Sequence, residues 1–168
     1  MTTERELPYR PCVGVMLINA QGHVFVGRRA DRVGAPEGLG QWWQMPQGGM
    51  DDGEDPETAA RRELEEETGV RRARFIGRSR QWYAYDLPGE LLGIAWQGRY
   101  RGQTQLWFAA RFEGEESEID LAPKAGHERE FDAWRWVPLT LVATLVVPFK
   151  RQVYEGVIQE FERLVLTP

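Results

Sequence analysis

Between Gly48 and Val70 the chain reads GGMDDGEDPETAARRELEEETGV, a stretch that carries its own start and stop signals for one helix. Asp55 can cap the first turn, Pro56 suits the first helical position, where no N–H is needed, and Gly69 suits the turn that ends a helix. Within that helix Glu63, Glu66 and Glu67 stand at i, i+3 and i+4, so their side chains project within about 60° of one another. Ala60, Leu64 and Thr68, at i, i+4 and i+8, offer a narrow neighbouring face that can rest on a sheet and pin the carboxylates.

The flanking sequence supplies that sheet. CVGVMLIN (Cys12 to Asn19) and HVFVGR (His23 to Arg28) are apolar and β-branched, and Ala20-Gln21-Gly22 between them predicts a hairpin. WWQMPQ predicts a short extended segment, and ARFIGRSRQWYAY, TQLWFAARF and FDAWRWVPL predict strands after the acidic helix. Val153, Val157, Ile158, Phe161 and Val165 follow helical spacing, so a second amphipathic helix closes the chain. Strands, helix, strands, helix is the order of an α/β fold, a mixed sheet flanked by helices.

At 168 residues the chain is expected to form one domain, residues 1–168, with a core large enough to need no staple. The single Cys12 cannot form an internal disulfide, which points to a reducing, cytoplasmic setting. The N-terminus shows no secretory signal, and the longest apolar run, Leu139 to Val147, is too short for a bilayer that needs about 20 residues. No membrane role is expected. A net charge of −5 argues against broad attraction to DNA or other nucleic acid, since such binding rests on many Lys and Arg contacts. A monomer is the expected state.

Like charges at i,i+4 destabilise a helix by a few tenths of a kcal/mol per pair, so crowded glutamates need an offset. One offset is a solvated face laced by Glu57 with Arg61 and Arg62 with Glu66. The other is a hard divalent cation, which takes oxygen ligands. The spacing of Gly48, Glu54, Arg62-Glu63-Leu64, Glu66-Glu67 and Gly69-Val70 decides between them. It resembles the Nudix box, here residues 48–70, at every specified position, and the chain is identified as similar to the Nudix hydrolases. With seven fixed types at ~5–7% frequency, coincidence is rarer than about one in a million.

That resemblance implies an α/β/α sandwich and the hydrolysis of a nucleoside diphosphate linked to another group, with Mg²⁺ or Mn²⁺. It implies that Glu63, Glu66 and Glu67 bind metal, that a Gly48 carbonyl joins them, that Glu63 is a candidate base, and that Arg62 and Glu54 form an orienting ion pair. Tyr9-Arg10-Pro11, Gly27-Arg28-Arg29, Tyr85-Asp86-Leu87-Pro88, Gln103-x-Gln105-x-Trp107, Glu130-Phe131-Asp132 and Phe149-Lys150-Arg151 resemble the subgroup that holds RNA 5′-pyrophosphohydrolases and dinucleoside tetraphosphate hydrolases.

In that subgroup Glu130 matches a further metal carboxylate. Arg10, Arg29, Tyr85 and Lys150 match phosphate contacts, and Phe149 a base-stacking ring. The expected substrate is an RNA 5′ triphosphate end, a dinucleoside polyphosphate, or both. The alternatives are a dedicated, asymmetrically cleaving dinucleoside tetraphosphate hydrolase, or a non-catalytic nucleotide sensor. Asp86 and Leu106 stand where RNA-processing members often carry Lys, and the loop Asp31 to Gln41 resembles the dinucleoside tetraphosphate group. Cys12, His23 and His127 are expected to be structural.

Overall fold

The computed structural model describes residues 6–30, 41–124 and 126–167. The predicted hairpin forms from β1 (Tyr9–Ile18) and β2 (Val24–Arg29), which pair antiparallel at Ile18↔Val24. The Asn19 side-chain oxygen closes the turn by accepting the N–H groups of Gln21 at 3.0 Å and His23 at 2.9 Å. WWQMPQ yields two short strands, β3 (Trp43–Gln44) against β2 and β4 (Gln47–Gly49) against β1. The acidic helix α1 spans Pro56–Thr68.

Beyond α1 come β5 (Ala73–Arg78), β6 (Tyr83–Asp86), β7 (Gly102–Phe112), β8 (Phe131–Val137), α2 (Leu139–Leu145) and α3 (Arg151–Leu166). The backbone of the sheet is the parallel pairing of β1 with β7, in register from Tyr9↔Gly102 to Ile18↔Arg111, while the other strand pairs are antiparallel. The sheet is therefore mixed, with order β3-β2-β1-β7-β5.

Alternation along β1 and β7 builds two cores. Val13, Val15 and Leu17 with Leu106, Phe108 and Ala110 pack under α1, at Ala59, Ala60 and Leu64. Met16 and Ile18 with Trp107 and Ala109 pack on the opposite face, under Val142 of α2 and Val153, Val157, Phe161 and Val165 of α3. The result is a three-layer α/β/α sandwich, with the carboxylate-bearing α1 on one side of the sheet and α2 and α3 on the other. Tyr154 ties α3 to the β3–β4 connection: its hydroxyl accepts the Met45 N–H at 3.0 Å and its ring meets Trp107 edge-on at 5.5 Å.

The structure departs from the sequence expectations at two places. ARFIGRSRQWYAY is not one strand; the ladder stops after Arg78 and resumes at Tyr83, and the Ser79 hydroxyl accepts the Trp107 N–H at 3.0 Å in the gap. The apolar run from Leu139 contributes a third helix, α2, that its sequence does not announce. The loop compared above with dinucleoside tetraphosphate hydrolases lies, but for Gln41, outside the described residues. No helix among the described residues is long and apolar enough to cross a membrane.

Candidate active site

Helix α1 begins and ends as its local chemistry dictates. Asp55 Oδ2 accepts the Thr58 N–H at 3.1 Å, and Gly69, at φ 76°, donates its N–H to the Glu65 carbonyl at 2.8 Å. With Ala59, Ala60, Leu64 and Thr68 buried, the helix is clamped and Glu63 and Glu67 are pressed toward β4. The Gln47 N–H donates to Glu67 Oε2 at 3.2 Å. A Cβ at Gly48 would overlap the Glu63 carboxylate, and one at Gly49 would stand 2.5 Å from Arg10 Nη2. A side chain at either glycine would thus displace Glu63 or Arg10 from the position it holds.

Arg62 is the hub. Its Nε and Nη2 fork onto the Glu54 carboxylate at 2.9 and 2.8 Å, Nη2 also reaches the Gly49 carbonyl at 3.0 Å, and Nη1 donates to Glu63 at 2.9 Å and Glu66 at 3.3 Å. One guanidinium therefore fixes the glycine strand, the turn into α1 and two helix carboxylates together. The Arg62 hydrogen bonds hold the Glu54 carboxyl down at about 2. Glu63 behaves in the opposite way: burial pushes it up to about 7 against the pull of Arg62, and the Glu66 and Glu130 charges add to the rise. Burial, then the charges of Glu130 and Glu63, raises the Glu67 carboxyl well above the usual range.

The four carboxylates thus feel one another, and Glu130 arrives from the far end of the chain, paired with Arg29 at 2.5 Å. Among the described residues no three acidic or histidine side chains already converge as a metal cage; Glu63 and Glu66 are turned to Arg62. The donor set still fits a divalent cation, being all oxygen, and such an ion would relieve both the burial and the mutual repulsion of Glu63 and Glu67. His127, expected to be structural, lies beside the site, with its Nε2 3.9 Å from Glu66 Oε1.

Of the residues matched to substrate contacts, Arg29 sits with Glu130, and Tyr85, Phe149 and Lys150 form a second group. Tyr85 and Phe149 rings sit 5.6 Å apart at 43°, and the buried Lys150 places Nζ 5.8 Å from the Tyr85 ring and 3.4 Å from Gln44 Oε1. Arg10 lies beside Gly49 with its guanidinium 5.8 Å from the Trp96 ring. Gln44, Gln47, Gln103 and Gln105 around this group are buried, and the sequence motifs that contain them gave them no role. The alternating Gln-x-Gln-x-Trp of β7 was the signal of one for two of them, because polar residues facing a core along one strand need a reason.

A Gly-Gly strand against buried glutamates, clamped by one arginine, is the arrangement of a Nudix-box enzyme, and the match bears on most of the chain: residues 8–157 fit the NUDIX domain, so the chain belongs to the Nudix family of hydrolases. Members of that family generally need a divalent metal cation. Among its relatives, a protein named RNA pyrophosphohydrolase from Agrobacterium fabrum is 55% identical over 167 residues, covering 98% of both chains. Its namesake from Rhizobium meliloti is 54% identical over 166 residues, covering 97% of this chain and 99% of that one.

Solved structures share the fold at low identity. The dihydroneopterin triphosphate pyrophosphohydrolase of E. coli gives a TM-score of 0.64 at 19% identity, over 89% of this chain and 96% of that one. A binary complex of the C. elegans Ap4A hydrolase gives 0.64 at 13% identity, over 93% and 97%.

Proposed function

We propose that this chain is a pyrophosphohydrolase that uses Mg²⁺ or Mn²⁺ to remove pyrophosphate from 5′-triphosphorylated RNA, leaving a 5′ monophosphate. The observation that carries it is the pair of the partly buried Glu63, packed against Gly48, and the buried Glu67, bonded to Gln47, both raised in pKa chiefly by desolvation. The near-complete overlap with relatives of that name supplies the substrate class.

Glu63, Glu66, Glu67, Glu130 and the Gly48 carbonyl would hold the cation. Bound there, it would polarise the bridging phosphates and lower the pKa of water. The protein's own residues supply the rest. Arg62 and Glu54 keep the glycine strand and helix carboxylates in one geometry, and Glu63 is the candidate to take the proton from the attacking water. Arg10, Arg29 and Lys150 bring positive charge to the phosphates, and the Tyr85 and Phe149 rings offer a platform for a base. Water attacks one phosphorus of a phosphoanhydride and the bond from that phosphorus to the bridging oxygen breaks; the water oxygen stays with the attacked phosphorus, the bridging oxygen leaves with the other product, and no covalent enzyme intermediate forms.

Dedicated hydrolysis of dinucleoside tetraphosphates is the second reading. It is favoured by Asp86 and Leu106 standing where RNA-processing members often carry Lys; Asp86 is engaged by Arg101 at 2.7 Å and Leu106 is buried under α1. RNA carrying labelled β- and γ-phosphates, incubated with Mg²⁺, decides the matter. Release of label as pyrophosphate is expected; inert RNA beside rapid conversion of diadenosine tetraphosphate to ATP and AMP would install the second reading.

A further inference from the structure

Gln103, Gln105 and Trp107 occupy alternate positions of β7 on one face of the sheet, and the chemistry above uses none of them. The buried Trp107 indole can only donate, and its Nε1–H goes to Gln105 Oε1 at 3.0 Å. That bond settles which end of the Gln105 amide is nitrogen. Gln105 Nε2 then donates to Gln103 Oε1 at 2.8 Å and to Gln47 Oε1 at 3.3 Å. With both oxygens met by a donor, Gln47 and Gln103 are left to present their NH₂ groups. Neither nitrogen is among the buried atoms that lack a partner, so each still reaches solvent.

An independent observation repeats the pattern. The Lys150 ammonium, also a donor only, meets Gln44 Oε1 at 3.4 Å and turns that amide the same way. Gln44 is 1% exposed and its Nε2 has no hydrogen-bond partner. A buried N–H without an acceptor is costly and calls for something to supply one. The registers Gly14↔Gln47, Cys12↔Gln105, Arg10↔Gln103 and Tyr85↔Gln103 put these amides at the end of the sheet that holds Arg10, Tyr85 and Lys150.

We propose that Gln47 and Gln103 form a donor-only subsite that binds hydrogen-bond acceptor atoms of the substrate beside the phosphoanhydride. The ligand class is an acceptor-rich part of a nucleotide, either non-bridging phosphate oxygens or the ring nitrogens and carbonyls of a base, and groups that only donate are refused. This subsite rests on the phosphoanhydride substrate proposed above.

Calorimetry on the full chain with Mg²⁺ tests it without requiring turnover. The probes are imidodiphosphate, the β,γ-imido analogues of ATP and GTP, and a dinucleotide carrying the same 5′ imidotriphosphate. Gln103→Glu and Gln47→Glu keep shape but replace donors by acceptors, and Gln103→Met removes polarity; melting temperature identifies the variants that fold. Affinity is expected to fall at least about tenfold in the glutamate variants and less in Gln103→Met. Loss on every probe, imidodiphosphate included, assigns the subsite to phosphate oxygens; loss on the nucleotides alone assigns it to a base. Folded variants that bind every probe within about twofold of the parent would overturn the proposal, as would a parent chain that binds none of them. Pyrophosphate release from RNA by the unaltered chain judges the function separately.

Discussion

Replacing Glu54 by Gln isolates the Arg62 clamp. The substitution keeps shape and one acceptor but deletes the charge that receives the forked guanidinium at 2.8 and 2.9 Å. In the folded chain the Glu54 carboxyl titrates at about 2, below its ordinary 4.5, because of the Arg62 hydrogen bonds. At ~1.36 kcal/mol per unit the shift sets a ceiling of roughly 3 kcal/mol, which screening at this partly wet rim reduces to about 1–2 kcal/mol. A depressed carboxylate stabilises above its unfolded pKa and loses that contribution as pH falls through the folded one. The stability gap between parent and Glu54→Gln is therefore expected in full above about pH 4.5 and shrinks towards pH 2. Urea unfolding followed by tryptophan fluorescence, at pH 7, 5, 4 and 3 in chelator, measures the gap directly. Taking the difference between the two proteins removes titration common to both. A gap that stayed constant, or widened in acid, would refute the assignment of the clamp to this ion pair. Turnover is expected to fall about tenfold or more at pH 7, because Arg62 would no longer hold the Gly49 carbonyl, Glu63 and Glu66 in one geometry.

Glu67→Gln is expected to lose activity by orders of magnitude while its melting temperature in chelator holds or rises, since it removes a buried charge; undiminished turnover in an RNA assay would reject the metal role. Phe149→Ala is expected to weaken nucleotide binding by about 1–3 kcal/mol with little change in kcat, read as a rise in KM; an unaltered KM would return the ring to a packing role beside Tyr85. The Cys12 thiol is fully buried and pushed up to about 11 by burial, so a colorimetric thiol reagent is expected to label it only after denaturant is added. Prompt labelling of the native chain at pH 8 would contradict the packing of β1.

Features governed by neighbours along the chain were legible without coordinates. The limits of α1 follow from Asp55 as cap, Pro56 in the first turn and Gly69 in the left-handed conformation, and the shared face of Glu63, Glu66 and Glu67 follows from the helical repeat. The pairing of Arg62 with Glu54, eight residues apart and seen at 2.8 Å, was implied by the resemblance to the Nudix box and not by local spacing, which pointed to Glu66. Helix α2 escaped because LTLVATL is too short to show a period and its N-cap, Pro138, makes no side-chain cap bond.

Long-range packing decided the remainder. Sequence pattern alone names neither the partner of a strand nor the depth of a side chain, because both depend on contacts between segments far apart in the chain. The parallel pairing of β1 with β7 brings Gln105 to Cys12, and β4 joining β1 brings Gln47 to the same place. Only there does a tryptophan N–H dictate which way three amides point. Lys150 shows the contrast most simply: one of two adjacent cations in sequence, it is buried because α3 is docked through Tyr154 onto the strands that carry Gln44. Helical geometry and residue type determined the identity and grouping of the glutamates; their burial, which raises Glu63 to about 7, exists only once α1 is pressed against β4.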